Sequence, residues 1–241
     1  MITSAANPRV KLVRKLESRR QREKVGLFVC EGEDLVAAGL DAGVEPVEAL
    51  VDAERPALAE RLRGAELAAP DVMRALSTLP HPARVVGVFR RADLPGDLDR
   101  PAGLALWRVA DPGNVGTLIR TADALGPAFV LLSQGCADPT GPKALRASAG
   151  AIFRVPLGRF DEVEGRFRVA LVPRDGVPLS ALDLPERILF VLGAEREGLP
   201  ADVLEASDAA ATIPQAGLAE SLNVATAGAI ALYELRRGRS A

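Results

Sequence analysis

Histidine is almost absent from this sequence. His81 is the only one, in the proline-bounded turn LPHPAR. With no serine or cysteine nucleophile motif beside it, it gives no catalytic triad. Cysteine is scarce too: Cys30 and Cys136 stand far apart, and there is no CxxC pair and no HExxH. Neither a zinc site nor a disulfide framework is expected, and two buried free thiols fit a reducing, cytoplasmic compartment. GxxxxGK[ST] and GxGxxG are both missing, which removes the P-loop and the ordinary dinucleotide fingerprint. No apolar run approaches the roughly 20 residues of a membrane span. The basic start MITSAANPRVKLVRKL has no apolar stretch behind it to make a secretory signal. An enzyme made from this chain is expected to work without metal, histidine or activated thiol.

What is present is a core. Apolar residues make up 48% of the 241 positions, but aromatics only 4%, so Ala, Leu and Val carry the burial. That length permits one or two domains. The net charge of −2 does not suggest a nucleic-acid binder, but its distribution does. Residues 1–24 hold Arg9, Lys11, Arg14, Lys15, Arg19, Arg20, Arg22 and Lys24 against Glu17 and Glu23, a local charge of +6. Such a run is either a solvated face or an electrostatic footprint for RNA backbone.

Periodicity predicts a basic helix over 8–24, strands near 26–30 and 47–51, helices near 33–40, 55–63 and 71–78, and a strand over 85–89. RRADLPGDLDRPAG, at 90–103, has two prolines and two glycines and reads as a linker, which places a domain boundary near residue 98. Beyond it, strands are expected at 104–109, 129–132, 152–157, 167–172, 188–192 and 210–213. Helices are expected at 115–126, 143–149 and 221–237. Strands alternating with helices predict an α/β fold with a parallel sheet covered on both faces.

Three polar, glycine-containing loops follow strands in the second half, where open α/β sheets bind ligands. In the first, Asn114 stands at an expected helix N-cap. Arg120 lies opposite the Val115/Leu118/Ala122 stripe, free to offer its fork of donors to a phosphate or carboxylate. In the second, Gly193 and Gly198 bracket Glu195. In the third, IPQAG leads to Ser221, an expected N-cap, then Leu222 and Asn223. A thin face of small residues follows, with Leu222, Ala225 or Thr226, Ala229 and Tyr233 expected on one side.

Together, DPGNVGTLIRTADALG, FVLGAEREGL and IPQAGLAESLNVATAGAIALYE resemble the three motifs of the SpoU/TrmH-like RNA 2′-O-ribose methyltransferases of the SPOUT superfamily. KALRASAGAIFRVPL resembles the family's connecting segment and contributes Arg146. SAANPRVKLVRKL and the R-x-x-x-G-x-F-x-x-E-G pattern at 22–32 resemble a ribosomal-protein-like substrate-binding domain. The resemblance implies residues 1–98 as an RNA substrate-binding domain and 99–241 as the catalytic domain. It also implies a deep C-terminal trefoil knot, S-adenosylmethionine as cofactor, and a homodimer. The cofactor would be held by Leu192, Gly193, Ala194, Glu195, Gly198, Ile213, Pro214, Gln215, Gly217, Ser221, Leu222 and Asn223. Catalysis would rest on Arg120, Asn114, Ser221, Asn223 and Glu195. RNA would meet Arg9, Lys11, Arg14, Lys15, Arg19, Arg20, Arg22, Arg120 and Arg146. Family accounts make the arginine at the Arg120 position a base; because a guanidinium stays protonated, a phosphate clamp that stabilises alkoxide charge is the expectation here. Gln215 departs from the methionine that many relatives carry. The implied substrate is RNA, ribosomal favoured over transfer RNA. A non-catalytic RNA binder that keeps the fold, or an α/β enzyme using another nucleotide, remains an alternative on the residues alone.

Overall fold

The computed structural model describes residues 1–216 and 221–239. The chain forms two compact units: Met1–Leu94 with Asp138–Arg154, and Pro95–Ala137 with Val155–Ala241. The first unit ends at Leu94, within the stretch read as a linker, and takes in a segment of the second half.

In the first unit the basic segment is two helices, α1 (Pro8–Lys15) and α2 (Arg19–Val25), rather than the single helix expected. Asn7 caps α1, its side chain accepting from the Arg9 amide, with Pro8 at the first helical position. The break has a physical reason. Arg22 turns inward and donates to the carbonyls of Leu16 and Glu17, which the end of α1 leaves without helical partners. Then follow β1 (Leu27–Glu31), α3 (Glu33–Asp41), β2 (Glu48–Asp52), β3 (Glu66–Ala68), α4 (Pro70–Leu76) and β4 (Val85–Arg90). The helix expected near 55–63 is only a short 3-10 turn at Pro56–Ala59, and β3 was not foreseen. The sheet runs β1-β4-β2-β3, with β4 antiparallel to both its neighbours. Val10, Val13, Leu16, Leu50, Met73 and Leu76 fill the core between α1, α4 and the sheet.

The returning segment adds a short helix, Pro142–Ser148, and Phe153. The Phe153 ring packs with Phe28 and Phe89 at centroid distances of 6.0 and 5.0 Å. A buried ion-pair cluster ties the segment down. Asp138 accepts from Arg22 Nε and Nη2 at 2.9 and 2.8 Å and from Arg91 Nη2 at 2.7 Å. The Thr140 amide and hydroxyl donate to the same carboxylate. Burial alone would raise the Asp138 pKa, but the Thr140 hydrogen bonds and the two guanidinium groups hold it below the usual carboxylate range.

The second unit comprises β5 (Ala102–Leu106), α5 (Pro112–Leu125), β6 (Ala128–Leu132), then, past the returning helix α6 (Pro142–Ser148), β7 (Leu157–Arg159), β8 (Phe167–Leu171), β9 (Val177–Pro178), β10 (Ile188–Leu192), α7 (Ala201–Glu205), β11 (Ala209–Thr212) and α8 (Val224–Arg239). The seven strands lie in the order β7-β6-β5-β10-β8-β11-β9, and every pairing is parallel. This is the expected α/β sheet. The strand expected at 152–157 is instead a 3-10 turn at Ala151–Phe153 followed by β7, while α7 and β9 were not anticipated. Central strands β5 and β10 are buried at every residue, as their unbroken apolar runs require of a sheet covered on both faces.

α5 and α8 pack against each other on one face. A Cβ on Gly228 would lie 2.4 Å from Leu118 Cδ2 and 3.3 Å from Leu192 Cδ2, so the small residue is what lets α8 approach α5 and β10. The buried side of α8 is Val224, Ala225, Gly228, Ala231, Leu232 and Leu235. Tyr233, expected on that side, is exposed.

Candidate functional site

From β5 the chain proceeds through β6 to β7 on one side of the sheet, then crosses to build β8 to β11 on the other. β5 and β10 therefore flank the topological switch point, the position at which open α/β sheets bind ligands. Leu106 and Leu192, their last residues, are paired directly. The loops that follow them emerge side by side.

The first of these loops enters α5. Its N-cap is Asp111, not Asn114: the Asp111 carboxylate accepts from the Asn114 amide at 3.0 Å, with Pro112 at the first helical position. This correction matters, because a carboxylate already caps the helix and the Asn114 side chain is released for other work. The second loop is a tight turn. A Cβ on Gly193 would strike the Gly198 carbonyl carbon at 2.3 Å, Gly198 has φ +67°, and its amide donates to the Ala194 carbonyl at 3.0 Å. Glu195 projects from that turn.

The third loop ends at α8, which begins at Val224 rather than Ser221. Asn223 is its cap, its Oδ1 accepting from the amides of Ala225 and Thr226 at 2.9 and 3.3 Å. Ser221 is exposed and lies outside the helix. Having spent its oxygen on the cap, Asn223 donates from Nδ2 to Asn114 Oδ1 at 3.1 Å. Asn114 donates in turn from Nδ2 to Glu195 Oε1 at 2.8 Å. One side chain from each loop thus forms a single hydrogen-bonded row. Each amide nitrogen in the row keeps one further proton to donate, and Glu195 keeps an oxygen.

The remaining residues of the expected site lie on the same loops and the elements that adjoin them. Leu192 ends β10, and Gly193, Ala194 and Gly198 form the turn. Ile213, Pro214 and Gln215 continue from the end of β11, and Leu222 is half-buried. Gln215 Oε1 is buried and, among the described residues, meets no hydrogen-bond donor. Such an orphan acceptor costs roughly 1–3 kcal/mol unless a ligand donor meets it. Gly217 lies outside the described residues. Arg120 is exposed on α5, opposite the buried Val115, Leu118, Ile119 and Ala122, and among the described residues nothing pairs with it. Among the described residues there is no cluster of His, Cys, Asp and Glu fit to hold a metal ion.

Sequence reasoning missed Arg108, Ser133 and Glu197. Arg108 follows β5 with φ +52°, in the left-handed region that costs a side-chain-bearing residue about 1–2 kcal/mol. Its amide donates to Ser133 Oγ at 2.8 Å, and its guanidinium stands 3.7 Å from Glu197, in the same turn as Glu195. A positive φ leaves no mark in a sequence unless the residue is glycine, so no signal was there to read.

Of the nine arginines and lysines expected to meet RNA, Lys11, Arg14, Lys15, Arg19, Arg20, Arg120 and Arg146 are exposed. Arg22 is not. Only 4% of it is accessible and its guanidinium is committed to Asp138 and the end of α1, so it is a structural residue and leaves the RNA-contacting set. Arg9 is half-buried and paired with Glu48 and Glu66. Arg146, on α6, reaches Thr78 at 3.4 Å.

Residues 101–233 match the SpoU rRNA methylase family, and residues 7–87 match the MRM3-like substrate-binding domain. The 23S rRNA (guanosine(2553)-2′-O)-methyltransferase RlmP of Bacillus subtilis is 34% identical over 98% of this chain and 98% of its own. The 23S rRNA (uridine(2479)-2′-O)-methyltransferase of Streptomyces viridochromogenes is 31% identical over 93% of this chain and 87% of its own. The AdoMet-bound rRNA methyltransferase from Sinorhizobium meliloti superimposes with a TM-score of 0.85 at 32% identity, covering 98% of this chain and 97% of that one. A fold, a set of loops at the switch point and two matched segments agree: the chain belongs to the SpoU rRNA methylase family.

Proposed function

We propose that this protein transfers a methyl group from S-adenosylmethionine to a ribose 2′-hydroxyl of ribosomal RNA. The observation that carries the reading is the Asn223–Asn114–Glu195 row, which binds the three loops together at the switch point. The local structure fits the cofactor. The Gly193–Gly198 turn closes so tightly that it has no room for a Cβ at Gly193, which leaves its backbone groups bare of side chain there, and the buried Gln215 oxygen meets no donor among the described residues. Leu192 to Gly198, Ile213 to Gln215, and Leu222 would hold it, largely through backbone groups. When bound, S-adenosylmethionine supplies a methyl already activated by its sulfonium.

The chain's own residues then need to orient and to stabilise charge. The spare amide protons of Asn114 and Asn223 suit ribose oxygens, and a row locked by hydrogen bonds holds them still, which is where most of an orientation effect arises. Glu195 braces Asn114 from the far end, and Ser221 stands beside the row at the entry to α8. Arg120 carries a permanent positive charge. It clamps the adjoining phosphate and stabilises the negative charge that grows on the 2′-oxygen as its proton passes to water.

The first unit supplies affinity. Lys11, Arg14, Lys15, Arg19 and Arg20 are exposed cations on α1 and α2, suited to RNA phosphates. The same family reading has α8 passing through a trefoil knot, with the protein a homodimer in the cytoplasm. The exposed Tyr233 on α8 supports a partner surface, and the free, buried Cys30 and Cys136 support a reducing compartment. Arg120→Ala tests the site directly. It is expected to abolish methyl transfer while leaving the Kd for S-adenosylmethionine, measured by calorimetry, within about twofold. Retained turnover would remove Arg120 from the reaction.

A further inference from the structure

Arg108 and Glu197 form a second link between the first two loops, beside the Asn114–Glu195 hydrogen bond, and the reaction outlined above does not use it. The link is loose. Its nitrogen and oxygen are 3.7 Å apart, and the side chains are 57% and 73% exposed. The backbone beneath it is not loose. Arg108 holds a left-handed conformation fixed by its amide's bond to Ser133 Oγ. Its stem lies along Gly135, where an added Cβ would come within 3.3 Å of Arg108 Cγ and 3.4 Å of Nε. A strained main chain and a packed stem thus present a guanidinium whose donors are barely used. Glycine would fit that backbone without strain, so what the arginine adds is its side chain.

We infer that Arg108 is an RNA-positioning residue: its backbone and stem present the guanidinium to a phosphate of the substrate, and Glu197 is the weak partner that the guanidinium leaves when RNA arrives. A phosphodiester offers two oxygens to the fork of donors, a bidentate geometry that Glu197 does not reach. Glu197 is released on binding and is therefore a competitor of the RNA. The inference rests on the methyltransferase reading for the identity of its ligand.

The test compares wild type, Arg108→Gly, Arg108→Lys and Glu197→Gln, using in vitro-transcribed 23S rRNA and a salt series. Arg108→Gly relaxes the backbone, so its Tm is expected at or above wild type, which separates lost binding from lost folding. Its Kd for RNA is expected to rise about tenfold at low salt, with the slope of log K against log[salt] shallower by roughly 0.7–0.9, the signature of one lost phosphate contact. Arg108→Lys keeps the charge and is expected to keep the slope while losing part of the affinity. Glu197→Gln is expected to tighten RNA binding about twofold to threefold. An unchanged RNA Kd and slope in Arg108→Gly, or weaker RNA binding in Glu197→Gln, overturns the inference. So does a loss confined to S-adenosylmethionine affinity, which would make Arg108 a cofactor residue. Methyl transfer by the wild type is read in parallel, and its absence would refute the methyltransferase reading through a separate readout.

Discussion

Asn223 has two jobs, and they can be separated by one atom. Its oxygen caps α8, while its nitrogen reaches Asn114. Asn223→Ala is expected to lose both, costing about 1 kcal/mol of stability for the cap and the turnover with it. Asn223→Asp keeps a good cap at a helix N-terminus but has no proton for Asn114. It is expected to melt within a degree or two of wild type and to lose methyl transfer by at least about tenfold. Full activity in the aspartate variant, measured with the Tm, would reduce Asn223 to a helix cap. At this scale the sequence was partly legible. Motif order identified Asn114, Glu195 and Asn223 without their contacts. It gave the caps to Asn114 and Ser221, because a polar residue before a helix looks like a cap wherever the helix is thought to start. Asp111 and Asn223 took those places once the starts were fixed. Arg22 looked like its basic neighbours. Only the carboxylate of Asp138, 116 residues away, shows why it is inside.

Elements were read well where their apolar pattern was long and poorly where tertiary contacts decide. The runs of β5 and β10 and the stripe of α5 announced themselves. The return of residues 138–154 to the first unit did not, since it depends on one buried cluster and on Phe153 rather than on local propensity. That cluster makes a pH prediction. The Asp138 pKa is lower folded than unfolded. Its stabilising contribution is therefore complete above the unfolded value of about 3.9 and is lost as pH falls through the folded value. Asp138→Asn leaves Arg22 buried without its charge partner and is expected to cost about 3–5 kcal/mol at pH 7. Thermal melts from pH 7 to pH 3 should then show the gap between the two proteins narrowing in acid. A gap that stays constant would mean that the cluster contributes no charge-dependent stability.

For the whole molecule, the net charge of −2 hides a local charge of +6 over residues 1–24, the charge proposed to meet RNA. Neutralising Arg14, Lys15, Arg19 and Arg20 together is expected to weaken RNA binding by well over tenfold at low salt and to flatten its salt dependence, with cofactor affinity unchanged. An unaltered RNA Kd would detach α1 and α2 from the substrate. The α/β class and the parallel sheet followed from alternation alone. The proposed knot did not, since connections in proteins are almost always unknotted and no periodicity records a threading; only the family resemblance implies it. Nor could composition name a methyl donor; that came from three short motifs whose order, more than any one residue, is distinctive. The central claim is transfer to a ribose oxygen, and one measurement meets it directly. Total RNA from a strain lacking the gene is incubated with the purified protein and methyl-labelled S-adenosylmethionine, then digested and mapped by mass spectrometry. The account predicts label in one alkali-resistant dinucleotide of ribosomal RNA, the mark of a 2′-O-methyl group; label on a base, or no label in any RNA, would contradict it.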